Sequence, residues 1–195
     1  MSLSGFKRAT VSEFAYLEES FGFSRVDGLD GTARYESDEV IVIVSYDFGH
    51  GYDLEVCIGQ QGRTDYEPEE TFDLREVAML KGVEALDLQT SFAAASEESM
   101  VRCLEKMASL LLDIGPDLLK GDAEAFLALK EQRDLESHEL AIETRLSHIR
   151  RQLGPAWQAK DYKQVEELLR NVEHLLTESE KNKLSFSRRQ LWRQT

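Results

Sequence analysis

The side chains able to do chemistry are few and far apart in this sequence. Four histidines, His50, His138, His148 and His174, and two cysteines, Cys57 and Cys103, stand among 37 Asp and Glu residues. A metal needs ligands that converge, and His138 and His148, at about 100° of helical turn per residue, lie about 80° off a common helical face. His138-Glu139 also lacks the second His that a zinc-protease helix carries. Nucleophilic catalysis needs a thiol or hydroxyl activated by its surroundings. Cys57 has Glu55 two positions away, and a negative neighbour keeps a thiol protonated. Gly49-His50-Gly51 comes nearest to a phosphate-cradling loop, but Leu54 stands where its third glycine belongs, so the segment reads as a hairpin turn. Neither a Walker loop nor a Gly-x-Ser-x-Gly elbow occurs. Asp47, Asp53, Glu55 and Asp65 are the carboxylates a sheet could bring together for acid–base work. No pattern calls for a cofactor or a metal, and none is expected.

The elements that must position these residues follow from periodicity. Thr10 and Glu13 have the form of a capping box, and Val11, Phe14, Leu17 and Phe21 recur at helical spacing, which predicts a helix over 11–20 closed by Gly22. Strands are expected over 23–26, 32–37 and 39–46, the last a β-branched run suited to burial on both faces. Alternation of Leu54, Val56 and Ile58 with polar residues predicts a further strand with one wet face. The sheet is expected to pause over 60–70. Asp73 opens a short helix stopped by Gly82, no clear period marks 83–95, and Ser96 with Ser99 opens a longer helix ended by Gly115-Pro116. From Asp122 toward Leu153 the pattern fits one long helix or two. Gly154-Pro155 reads as a stop, and Asp161 then caps an amphipathic helix of Tyr162, Val165, Leu168, Leu169, Val172, Leu175 and Leu176. Thr177 and Glu180 open the last helix. The fold class is therefore α+β: an N-terminal helix on a small antiparallel sheet over residues 1–70, then a helical part over 71–195 ending in an antiparallel hairpin, the two being either separate or packed as one unit.

The charge is unevenly distributed. The 195 residues carry a formal net charge of −14, of which residues 1–70 contribute −10, 71–122 contribute −5 and 123–195 contribute +1. A polyanion repels phosphate, so nucleic acid and anionic membranes are unfavourable partners. No apolar run approaches the roughly 20 residues of a membrane helix or the roughly 7–15 of a signal peptide, and the chain is expected in the cytoplasm. The acidic turns holding Asp27, Asp30, Asp38, Asp65, Glu67, Glu69 and Glu70 are the candidate surface for a basic protein partner, whose association such charge accelerates.

Two resemblances bear on these readings. Ala156-Trp157-Gln158-Ala159-Lys160-Asp161-Tyr162 is similar to the turn between the two helices of a tetratricopeptide repeat, with Lys160-Asp161 in place of the usual turn Gly. The unit does not recur, and one such unit forms no solenoid. Val42-Ile43-Val44-Ser45-Tyr46-Asp47, followed by Tyr52-Asp53-Leu54-Glu55-Val56 and later by Leu184-Ser185-Phe186 with a basic tail, resembles a group of uncharacterised bacterial proteins, some similar to the immunity proteins that neutralise antibacterial toxins. That resemblance implies an acidic, non-catalytic inhibitor of a basic toxin and carries no functional residue across. Two other readings stay open: a hydrolase or transferase using carboxylates near the sheet, and a helical scaffold that exposes Leu184, Leu191 and Trp192.

Overall fold

The computed structural model describes residues 3–26, 30–47, 51–61, 70–83 and 92–193. The chain opens with helix α1 (Leu3–Glu13) and, after a break at Phe14, helix α2 (Ala15–Phe21). Helical structure thus begins well before the predicted start, and Thr10 does not cap it. Its hydroxyl, fully buried, instead donates back to the Phe6 carbonyl at 2.7 Å, the bond a Thr makes in a helix interior. The earlier start buries Phe6 and Ala9 alongside Phe14 and Leu17. Gly22, at φ +73°, closes α2 in the left-handed conformation that glycine tolerates best.

An antiparallel sheet follows, in the spatial order β1 (Ser24–Val26), β2 (Thr32–Glu36), β3 (Val40–Tyr46), β4 (Asp53–Gln60) and β5 (Thr71–Asp73). A sixth short strand, β6 (Phe92–Ala93), pairs with the start of β4, where Leu54 faces Phe92 in the register. One face of the sheet buries Tyr35, Val42, Val44, Leu54, Val56 and Ile58 in the core. On the other face Ile41 is also fully buried, so β3 is covered on both sides at that point, as its β-branched run predicts. Gly59 is required by the approach of β5: a Cβ there would lie 2.5 Å from the Glu70 carbonyl oxygen.

Helix α3 (Leu74–Leu80) starts at a complete capping box between Asp73 and Glu76, and α4 (Glu97–Ile114) at one between Ser96 and Ser99. A short helix α5 (Pro116–Leu119) precedes α6 (Ala123–Gln158), one continuous helix of 36 residues. Gly154-Pro155 therefore does not end it. Leu153 and Ala156, on either side, are buried in one core, and that packing carries the helix across the missing Pro155 N–H. Helix α7 (Tyr162–Leu169) gives way to the 3-10 segment Arg170–Leu175, and α8 (Glu178–Trp192) begins at the Thr177–Glu180 capping box. No helix among the described residues is long and apolar enough to cross a membrane.

The chain forms two compact units, Met1–Arg133 and Asp134–Thr195. The first extends past residue 70 because β5 and β6 occupy the open edge of β4, and because Val77, Met100, Leu104 and Leu111 enter the same core as the sheet. The second closes its own core around Ile149, Leu153, Val165, Leu169, Val172 and Leu184. Divided this way, the first unit has 12 basic and 27 acidic residues, a net −15, and the second 11 and 10, a net +1.

Candidate functional site

Of the candidate partner-binding residues, Asp27, Asp65, Glu67 and Glu69 lie outside the described residues, and Asp30, Asp38 and Glu70 lie within them. Asp30 precedes β2 and Asp38 follows it, so the two stand at opposite ends of that strand. Asp38 sits in a tight turn in which the Ser37 N–H donates to the Val40 carbonyl at 2.8 Å and the Val40 N–H to the Ser37 hydroxyl at 3.1 Å. This turn holds Asp38 and its neighbour Glu39 exposed. Glu70 reaches the same end of the sheet through the Gly59–Thr71 pairing, since Val40 faces Gln60 one residue further along β4.

These carboxylates differ in what surrounds them. Glu70 is held by Lys130 at 3.1 Å and Arg133 at 3.8 Å, so its charge is largely neutralised within the unit. Among the described residues no cation is paired with Asp30, Asp38 or Glu39. The structure therefore presents the Asp38–Glu39 turn as free negative charge at one end of the sheet, leaves Asp30 at the other, and ties Glu70 down. Glu39 escaped the sequence argument because it adjoins an apolar strand, where an acidic residue reads as strand-end punctuation.

The carboxylates nearest the sheet are arranged for structure. Glu76 accepts from the Arg133 Nε and from a second guanidinium nitrogen, both at 2.6 Å, and from the Asp73 N–H at 2.9 Å. Arg133 also donates to the Thr71 carbonyl at 2.6 Å and lies 4.1 Å over the Phe72 ring. Burial by itself raises the Glu76 carboxyl, but the Arg133 guanidinium and the Asp73 N–H outweigh it and hold the group below its ordinary value. Cys57 lies beside this cluster, opposite Ile43 and Asp73. Burial first, then the charges of Glu55 and Asp73, push its thiol up to about 12, so it stays protonated and unreactive. Asp53 and Glu55 are exposed on the outer face of β4, Asp65 lies outside the described residues, and so does His50.

The second unit has an open groove of about 880 Å³ between α6 and α7, floored by Leu140, Ala141, Ile149 and Leu168. Its titratable lining is Arg145, His148 and Glu167, one carboxylate where acid–base chemistry asks for two. His148 is bonded to Gln152 at 2.7 Å. Near the α6–α7 turn the rings of Trp157, Tyr162 and Phe186 meet edge to face with centroids 5.6–6.2 Å apart, which leaves no room for a cation between them. Lys183 instead lies 5.8 Å from the Trp157 centroid. At the turn between α6 and α7, Lys160 takes φ +56°, a left-handed conformation that glycine tolerates best. Leu184 is buried in the second core, so the apolar surface expected there reduces to the half-buried Leu191 and to Trp192, which is 83% exposed.

No family model, curated protein or solved structure matches this chain. Among the described residues no three His, Cys, Asp or Glu side chains are grouped so as to hold a metal ion.

Proposed function

We propose that this protein is a non-catalytic binding protein whose acidic first unit receives a basic protein partner, an immunity-type inhibitor being the narrower form of that reading. The observation that carries it is the separation of charge: −15 resides on Met1–Arg133 and +1 on Asp134–Thr195. A charge confined to one unit gives direction to a diffusional encounter, which the same charge spread over the whole surface does not. The Asp38–Glu39 turn is the contact point, since its carboxylates are exposed and have no paired cation among the described residues. Binding is favoured over chemistry because the carboxylates that do cluster, Asp73 and Glu76, are engaged as a helix cap and an arginine pair.

The experiment is capture of the partner on the tagged chain from the native host, identification by mass spectrometry, and measurement of affinity against salt for the parent and for D38N/E39Q. The expected partner is basic, and the double variant binds about tenfold more weakly at low salt, as losing two rim charges implies, with a shallower salt dependence. An acidic partner, or a double variant with unchanged affinity and salt slope, rejects the proposal.

A further inference from the structure

The groove of about 880 Å³ between α6 and α7 lies wholly within the second unit. Along α6 its lining falls at 137, 140, 141, 144, 145 and 148, the three- and four-residue steps of one helix face. From Ser137 to His148 that face runs about 17 Å, the length of a three-turn helix. Ser137, Ala141 and Thr144 are small, so a helix laid along it can approach the α6 backbone closely. The floor is apolar: Leu140 is 64% exposed, Leu168 enters half-buried from α7, and Ile149 joins the second core beneath. An apolar floor of this length, open to solvent, is the form of site that takes a helix by anchors at i, i+4 and i+7. Charge decides which helix. Arg145 on α6 and Glu167 on α7 both line the groove and are exposed, and among the described residues neither is in an ion pair, with the other or with a third group. The α6 side thus offers a positive charge and the α7 side a negative one.

We propose that this groove is the docking site for one amphipathic helix of a protein partner, about three turns long, with aliphatic anchors on Leu140, Ala141 and Leu168, an acidic flank against Arg145 and a basic flank against Glu167. Burial of the anchors supplies the affinity. The two charges fix the direction in which the helix lies, because turning it end for end exchanges its flanks and brings like charges together. The inference is independent of the basic-partner proposal, since it concerns the second unit alone.

The test titrates the intact chain into a dye-labelled synthetic helix of about 14 residues, with Leu at i, i+4, i+7 and i+11, Glu along one flank and Lys along the other, read by fluorescence anisotropy. Saturable binding with Kd below about 1 mM is expected. Ala141→Arg fills the floor from an exposed helical position, so it should raise Kd at least about tenfold while leaving the urea midpoint unchanged. Arg145→Glu, which makes both sides negative, should weaken binding about fivefold. Adding Glu167→Arg to it should restore the parent affinity, because the peptide then lies in the opposite direction; that recovery is one a merely damaged fold does not give. Absence of saturable binding, an affinity unmoved by Ala141→Arg, or a double variant no tighter than Arg145→Glu alone overturns the proposal.

Discussion

Glu180 joins the start of α8 to α6 through Arg150, and replacing it tests what that contact contributes to the second unit. It stands at the third position of α8 with only 10% of its side chain exposed. Its Oε2 accepts the Thr177 N–H at 2.8 Å, closing the capping box, and its two oxygens receive Arg150 at 2.8 and 3.3 Å. Arg150 is itself 45% exposed, so solvent screens the pair and its net worth is about 1 kcal/mol. The cap adds about 1 kcal/mol. Glu180→Gln, which keeps the capping acceptor, should therefore cost about 1 kcal/mol, and Glu180→Ala about 2 kcal/mol. Arg150→Ala should cost at least as much as Glu180→Gln, because it strands a nearly buried carboxylate while the reverse change leaves a solvated guanidinium. Urea unfolding followed by tryptophan fluorescence isolates this unit, since both tryptophans, Trp157 and Trp192, belong to it. The sign of the pH dependence follows from the same contacts. The Arg150 hydrogen bond, opposed by burial and helped by the Thr177 N–H, lowers the Glu180 carboxyl from 4.5 to about 2. Its contribution is thus complete above about pH 4.5 and lost as pH falls toward 2, so parent and Glu180→Gln converge over that interval. An Arg150→Ala variant as stable as the parent, or a gap to Glu180→Gln that stays constant from pH 5 to pH 2, refutes the reasoning.

Two further substitutions in the same unit read out by the same fluorescence. Lys160→Gly relieves a lysine held at φ +56° and should raise stability by about 0.5–1 kcal/mol; a lower midpoint would mean that the turn relies on the lysine side chain. The Ser187 hydroxyl is fully buried with no hydrogen-bond partner among the described residues, so Ser187→Ala should be neutral or stabilising by up to about 1 kcal/mol, and a loss would point to a bond made by this hydroxyl.

What could be read in the sequence divides along physical lines. Elements set by local chemistry were legible: the caps at Asp73, Ser96 and Thr177 depend on residues three apart, and β3 and β4 announce themselves by β-branching and alternation. Elements set by distant packing were not. Thr10 with Glu13 has the letters of a capping box, yet Phe6 finds a place in the core and draws the helix past it. Gly154-Pro155 has the letters of a stop, yet Leu153 and Ala156 are buried together and the helix runs on. The strands β5 and β6 have three and two residues, too short for any period, and exist because β4 has an open edge to fill.

The acidic surface shows the same division at the level of function. Composition located the acidity in the first part of the chain, but which carboxylates remain available is a property of pairing, and pairing joins residues distant in sequence. Glu70 counts as one more negative charge in a loop until Lys130 and Arg133, about sixty positions away, are seen to hold it. Glu76 counts as one more acidic charge until the Asp73 N–H and Arg133 engage it. Of the candidate carboxylates among the described residues, Asp30 and the Asp38–Glu39 turn remain once those pairs are set aside, and a short turn between two well-paired strands is a rigid place from which to offer charge. A rigid charged turn loses little conformational freedom on binding, so its carboxylates should contribute to residence time as well as to the rate of encounter. For D38N/E39Q that predicts a faster dissociation rate in addition to a slower association rate. An effect confined to association would assign the turn to steering alone and place the contact elsewhere on the first unit.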